Sequence, residues 1–538
     1  MLQQLTHRAT NMIRLSLLLF AIGTTLHAQE LYTITGLPRT AGIPRCAVAA
    51  PDEAFVVCYE AHGIGERPKH QVLGVMKVNG DGVVEWNRLI DVDNGARIDA
   101  ILPVSIVRTR GGGLIVAANL LDRSSGQSVE RGVLLLSINH SGEIVGRHRY
   151  EAELHGCDTF ALPDGSSETV CRTGRVVEMI AGDEGAVMLI EMMGGAVVMW
   201  LDDEGAATSS RTIADAVSAE ELFTWTPRAL AADSAGGVVV VGSGYRQDIP
   251  SNIPLLLRLD GDGDLLRAVS LPGHVDPFLN DVMTLADGRI MLSGMSTIRT
   301  RFVSMPMQSI EKEVPIGDVS LEIPARIHNE SERGPRRTHI GQPTVWILDP
   351  GIAGGSSLIM NMGSEEAWAT ESIALSGGEI VTMTAETSRA ESGPFKEGYA
   401  MLGAEGTYLS YSAITPFSRV APQRLDGTVF EKEARNKRGL RPFGPAHTND
   451  IAPGMNGGLL LVGSDYGLVP FLSFHSSDAP FPCMETRSVP VDTTATRFTV
   501  EELPFTSVAR IAGPGAEMRI VELSREVGVA GICEPIEE

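Results

Sequence analysis

From Leu279 to Ser296 the chain reads LNDVMTLADGRIMLSGMS: an apolar run, an Asp287-Gly288 turn, a second apolar run and a closing glycine. Two runs rich in Val and Ile around a Gly, Asp or Asn turn form the signature of a β-hairpin. The phrase recurs at 46–58, 105–118, 178–191, 229–242, 281–294, 371–384 and 450–463. A second phrase follows each copy, with an apolar strand, a polar turn and usually another strand, as in VLGVMKVNGDGVVEWNRLI and PLLLRLDGDGDLLRAVSL. The last copy, GLVPFLSFHSSD, has the first of these strands but no partner, while LYTITG (31–36) stands spare ahead of the first hairpin. Helical periodicity is almost absent, and AVSAEELFTW (216–225) is the one fair candidate.

Four antiparallel strands recurring at an irregular spacing of about fifty or more residues predict propeller blades. The expected fold is therefore all-β: a seven-bladed β-propeller of four-stranded antiparallel blades, closed by the N-terminal strand at 31–36 beside 468–474. The ring should occupy residues 29–480, followed by a short β-rich appendage over 481–538. The repeats resemble those of secreted bacterial β-propeller proteins of the Bacteroidetes type. Their blade phrase runs roughly lD..G...W......d....i..t.DGG.ivaG, and residues 72–118 copy it with Trp86, Thr109 and Gly112-Gly113. The resemblance spans about residues 45–475 and is structural, implying no activity. Many such proteins carry a C-terminal type IX sorting domain, and no clear one is read here.

Composition narrows the class. The 538 residues are 43% hydrophobic and 21% charged, enough to bury a core, and the formal charge of −23 argues against a general nucleic-acid binder. Arg8 and Arg14 precede LSLLLFAI, and small residues lead to Ala28, so residues 1–28 read as a secretory signal and the mature chain as secreted, periplasmic or cell-surface. The apolar stretch is too short for an ordinary spanning helix, so no membrane span is expected in a mature, monomeric protein. Six cysteines without a C-x-x-C pair favour disulfides in an exported chain. Cys46 and Cys58 flank a turn symmetrically, as do Cys157 and Cys171, and both spacings suit a bridge. Cys483 with Cys533 follows by elimination.

The same register places function on one face. In each blade the connections between second and third strands, and between blades, lie on one side of the ring, and all the long segments fall there: 59–71, 119–131, 150–175, 295–343 and 413–448. Long loops on one rim of a rigid scaffold commonly carry binding. The first residue of each inner strand should sit at the channel mouth on this face: Cys46, Ser105, Glu178, Arg228 or Ala229, Asp281, Glu371 and Asp450. Converging carboxylates have the oxygen chemistry to hold a hard cation such as Ca²⁺; alternatively they accept backbone hydrogen bonds between blades. No other cofactor is indicated. Two basic islands lie in the long loops: Arg336, Arg337 and His339 in one, Arg438 and Arg441 in the other. These side chains suit an acidic glycan, a phosphate or an acidic protein.

Catalytic motifs are missing from the sequence. The run beginning at Asp260, Asp262 and Asp264 starts like a calcium loop, but Leu271 stands where the closing glutamate belongs, so a plain turn is the better reading. NGDGVVEW resembles a sialidase Asp-box with Gly82 one place early. No G-x-S-x-G, H-E-x-x-H, P-loop or Rossmann glycine pattern occurs. Two functions remain. One is a binding or scaffold protein for an extracellular or envelope protein or glycan. The other is an exported hydrolase or lyase acting on polysaccharide, with the mouth carboxylates as acid and base. Raised-pKa carboxyls beside a pocket would favour the second.

Overall fold

A computed structural model describes residues 31–35, 42–52, 54–62, 70–92, 98–122, 129–150, 157–161, 167–171, 174–192, 195–215, 223–246, 249–271, 275–303, 315–316, 319–320, 336–362, 366–375, 378–387, 396–415, 447–454, 459–465, 469–475, 485–488, 492–499, 501–502, 505–510, 520–523 and 528–531. Among these residues every regular element is a β-strand, and no helix is long and apolar enough to cross a membrane. The expected signal at 1–28, Arg438 and Arg441, and Cys483 and Cys533 lie outside the described residues. So does 216–222 of the helix candidate. Phe223, Thr224 and Trp225, its last residues, begin the strand Phe223–Ala232 and pair with Arg246, Tyr245 and Gly244.

The four-stranded antiparallel meander of the β-propeller kind recurs along the chain. The first meander is Ile43–Ala49, Phe55–His62, Gln71–Val78 and Val84–Val92, and the second is Ala100–Arg108, Leu114–Asp122, Val129–Ile138 and Ile144–Tyr150. One parallel pair, Gln71 opposite Ala100, joins the two, which are counted below as the first and second sheets. The third runs Arg175–Ala181, Gly185–Met192, Gly195–Asp202 and Ala207–Asp215; the fourth Phe223–Ala232, Val238–Arg246, Ile249–Leu259 and Leu265–Ser270. In the fifth are Val275–Thr284, Ile290–Val303, Arg336–Leu348 and Gly354–Asn361, and in the sixth Glu366–Ala374, Ile380–Thr387, Lys396–Leu402 and Tyr408–Thr415. The last has His447–Pro453, Leu459–Asp465 and Val469–His475, beside which lies Leu31–Thr35 from the other end of the chain.

Strand alternation explains how the sheets stack. In Phe55–His62, Val56 and Cys58 pack in a cluster with Ile106, Val116 and Leu134 of the second sheet. Their neighbours Val57 and Tyr59 pack instead with Leu460, Val462 and Leu472 of the last sheet. A strand buried on both faces must be apolar at consecutive positions, and so reads as a run rather than an alternation. The same logic gives the run Val238–Val241, whose four residues are at most 2% exposed. Inner strands contact one another in chain order, and His447–Pro453 also contacts Ile43–Ala49.

The hairpin turns share one chemistry. At residues 79–83, Asn79 N–H bonds to the Val83 carbonyl at 3.1 Å, Gly82 N–H returns to Asn79, and Gly82 takes φ 75°. That left-handed residue closes a bulged hairpin and costs glycine little. Asp260 occupies the position of Asn79 in its own turn, and its carboxylate accepts from the N–H groups of Asp262 (3.0 Å) and Asp264 (2.8 Å). The calcium-like run is thus a turn whose leading carboxylate is already bonded to backbone.

Two long segments contain strand. Ile290–Val303 and Arg336–Leu348 pair out to Val303 opposite Arg336, with a register shift between Thr297 and Arg299, so both ends of the expected 295–343 loop are strand and form an arm of the fifth sheet. Within 150–175, Cys157–Ala161 pairs with Ser167–Cys171. Among the described residues, those after 484 pair with strands of the earlier sheets rather than with one another. Glu485–Ser488 pairs with the outer strand of the sixth sheet, Asp492–Thr499 with the fifth, Glu501–Glu502 with the fourth and Phe505–Arg510 with the third. Ile520–Leu523 then pairs with Val84–Val92 of the first sheet, and Gly528–Gly531 with Leu31–Thr35. Sheet twist of roughly 20–25° per strand accounts for this path, because a fifth strand lies steeply inclined to the first and leads on to the next sheet.

Candidate functional site

At the start of every inner strand the pairing slips by a residue or two. The shifts fall at Pro44/Cys46, Pro103/Ser105, Val176/Glu178, Pro227/Ala229, Leu279/Asp281, Ala369/Ser372 and Thr448/Asp450. A bulge bends its strand and re-aims the adjacent side chain. Here it turns Cys46, Ser105, Glu178, Asp281, Glu371 and Asp450 toward one pocket of about 310 Å³, with Arg228 and Ala229 also in its lining. The ring expected from the register is thus assembled at one place.

Most of these side chains also clamp neighbouring sheets. Asp450 accepts from the N–H of Ala47 at 2.6 Å, Glu178 from Leu230 at 2.5 Å and Asp281 from Ser372 at 2.7 Å. Ser105 joins the series: its hydroxyl donates to the Met179 carbonyl (3.1 Å) and accepts from the Met179 N–H (3.3 Å). Each acceptor therefore reaches the residue just after the equivalent position in the next sheet. Asp281 and Asp450 accept a further bond from the following N–H, Val282 at 2.7 Å and Ile451 at 2.8 Å. Glu371 departs from the pattern: its partner is the carboxylate of Asp450.

The four carboxyls resist ionisation together. Each keeps partial exposure to the pocket, yet burial is the largest cause of its shift. Burial pushes Glu178 well above the usual carboxylate range, and the charges of Asp281 and Asp450 add to it against the Leu230 N–H. Asp281 is raised to about 7 by burial, opposed by the N–H groups of Ser372 and Val282. Glu371 is held well above its ordinary value by burial, then by the charges of Asp450 and Asp281. Asp450 is raised by burial and eased back by Glu371, which donates its proton to it. Burial and crowding thus favour the neutral form of these groups, and Asp281, at about 7, divides between its two forms near neutral pH.

Around the rim the charge reverses. The exposed guanidinium of Arg228 lies 4.8 Å from the centroid of the Phe278 ring, and Arg45 pairs with Glu60 at 2.5 Å. Among the described residues no three His, Cys, Asp or Glu side chains come together in a metal-holding group. Cys46 and Cys58 are directly opposite, both buried and both free thiols; burial and the hydrogen bond to Cys58 push the Cys46 thiol well up. Cys157 and Cys171 are likewise opposite in register. The backbone of Arg336, Arg337 and His339 lies along the fifth sheet's arm, facing Val303, Phe302 and Thr300.

The inter-sheet bonds from Asp450, Glu178 and Asp281 are the backbone hydrogen bonds between blades that the sequence offered as the alternative to a cation site, while the bulges were missed. A signal was present in three of the inner strands, where Pro44, Pro103 and Pro227 stand immediately before the slip. Proline inside a strand marks an edge or a bulge.

No family model and no curated protein matches the chain. Among solved structures it is similar to virginiamycin B lyase from Staphylococcus aureus, at 10% identity and a TM-score of 0.38, over 83% of this chain and 99% of that one. A putative glycoside hydrolase from Parabacteroides distasonis aligns at 13% identity and a TM-score of 0.28, over 85% and 95%. An ancestral GH74 enzyme aligns at 10% and 0.29, over 88% and 73%. Likeness at this level assigns no activity.

Proposed function

We propose that this chain is an exported seven-bladed β-propeller, closed by Leu31–Thr35, and that its channel mouth is an acid–base site of a hydrolase or lyase acting on a polysaccharide. One observation carries the reading: Glu371 alone among the mouth carboxyls uses its proton on another carboxyl, beside a pocket. Glu371 is the general acid that protonates the leaving glycosidic oxygen, and Asp450, which accepts its hydrogen bond, is the base that takes a proton from the attacking water or, in a lyase, from the sugar carbon beside the breaking bond. The pocket, at about 310 Å³, is near the lower end of ligand-site volumes and suits one sugar unit of a longer chain. A screen of the purified protein against neutral and acidic polysaccharides, read as new reducing ends or new unsaturated ends, tests it. Release of either from one class supports the site. Turnover that survives Glu371→Gln at full rate contradicts it.

A second reading has its own support. By connectivity the arm formed by Ile290–Val303 and Arg336–Leu348 stands on the same face as the mouth, and Arg336, Arg337 and His339 lie on its returning strand. As a binding protein, the chain would use this arm to hold an acidic glycan or an acidic envelope protein. In the exported protein the opposed cysteines Cys46/Cys58 and Cys157/Cys171 are bridged. Non-reducing peptide mapping is expected to recover both links, and free thiols at those positions would refute them. Each closes a short loop, so reduction should cost about 3 kcal/mol or less apiece.

A further inference from the structure

We propose that the C-terminal strand Gly528–Gly531 is the clasp of the ring, holding the N-terminal strand in place; this rests on the closed-ring reading above. Leu31–Thr35 lies between two partners. On its inner side it faces Val469–His475 at only two positions, Leu31 opposite Ser473 and Tyr32 opposite Leu472. On its outer side it faces the C-terminal strand at four: Tyr32, Thr33, Ile34 and Thr35 opposite Gly531, Ala530, Val529 and Gly528. Among the described residues, 33–35 have their ladder partners in the C-terminal strand alone.

The route to the clasp matters as much as its pairing. Before reaching it, the tail has paired in turn with the outer strands of the sixth, fifth, fourth, third and first sheets. The tail is thus a belt running backwards round the ring, and its buckle is the opposite end of the chain. Each belt strand also occupies an outer sheet edge that would otherwise offer unpaired N–H and C=O groups to another chain. Glycine at both ends of the clasp strand, Gly528 and Gly531, weakens its ladder. Local opening starts where pairing is short and glycine-rich, so the ring opens at this three-strand seam before any sheet core opens.

Coupling between the two chain ends is the test. Deleting 29–37 and deleting 524–538 should each lower the melting temperature, and the double deletion should be no worse than the larger single one, because both remove the same seam. Additive losses, or no loss from deleting 524–538 while deleting 29–37 destabilises, would overturn the clasp. No loss from deleting 29–37 would instead overturn ring closure itself. A milder variant guards against misfolding: Val529→Pro with Ala530→Pro removes two consecutive N–H groups, one of which must point at Leu31–Thr35. Hydrogen exchange in that variant should be about tenfold faster or more at Thr33–Thr35, with Val239–Val241 unchanged. Unchanged protection at Thr33–Thr35 would sink the proposal.

Discussion

Glu371→Gln is expected to lower turnover by about 10²–10⁴-fold, the usual contribution of a positioned general acid, while the protein stays folded. The substitution keeps the shape and the hydrogen-bond donor toward Asp450 but removes the transferable proton. Glu371 reaches the next sheet through the Asp450 carboxylate rather than through a backbone N–H, unlike Glu178, Asp281 and Asp450, and Gln keeps that donor, so the substitution removes little structure. Because a protonated Glu371 and Gln both present a neutral donor to Asp450, the melting temperature at neutral pH should hold. Asp450→Asn should behave differently, losing rate and stability together, because Asp450 holds Ala47 and Ile451 as well as Glu371. Equal stability losses in both variants, without a rate difference, would reduce the mouth to a set of structural bolts.

The second large effect is on stability against pH. A carboxyl whose folded pKa is raised binds its proton more tightly folded than unfolded. Its contribution is fully present below the unfolded value and is lost as pH rises through the folded one. Asp281 is raised from 3.8 to about 7, so folding should weaken between about pH 4 and pH 8, by at most about 4 kcal/mol from this group. Glu178, Glu371 and Asp450 shift in the same direction. The melting temperature should therefore be higher near pH 5.5 than near pH 8.5. Asp281→Asn keeps an acceptor for the Ser372 N–H but cannot ionise, and should flatten that slope. A variant with the wild-type slope would show that the slope comes from the chain's overall negative charge instead.

Much of this was open to reading in the sequence because it follows from periodicity. Two apolar runs around a glycine turn locate each inner hairpin. Counting back seven positions from the left-handed glycines Gly112, Gly236, Gly288 and Gly378 reaches Ser105, Ala229, Asp281 and Glu371. That these carboxylates accept backbone N–H groups between sheets was among the readings the sequence offered; which N–H each takes, and that Glu371 turns to Asp450 instead, was not readable, since a backbone N–H carries no letter. The route of the tail was hidden for a related reason. ETRS, DTTATRFT and FTSVAR are short, partly polar strands with no turn between them, and they gain order only from edges elsewhere in the chain. AVSAEELFTW illustrates the opposite error. Ala219, Leu222 and Phe223 have the spacing of a helical face, yet Phe223 and Trp225, two apart, pair with Arg246 and Gly244 in a strand.

The mouth carboxyls favour their protonated forms because burial opposes ionisation, reinforced at Glu178, Asp281 and Glu371 by the charges of neighbouring carboxylates. Carbon-13 NMR titration of the side-chain carboxyls, with Asp281 assigned by its loss in Asp281→Asn, measures this directly. The account requires the Asp281 resonance to titrate near pH 7 and to move down when Asp450 is replaced by Asn. A midpoint near 4, the value of a solvated aspartate, in both proteins would contradict it.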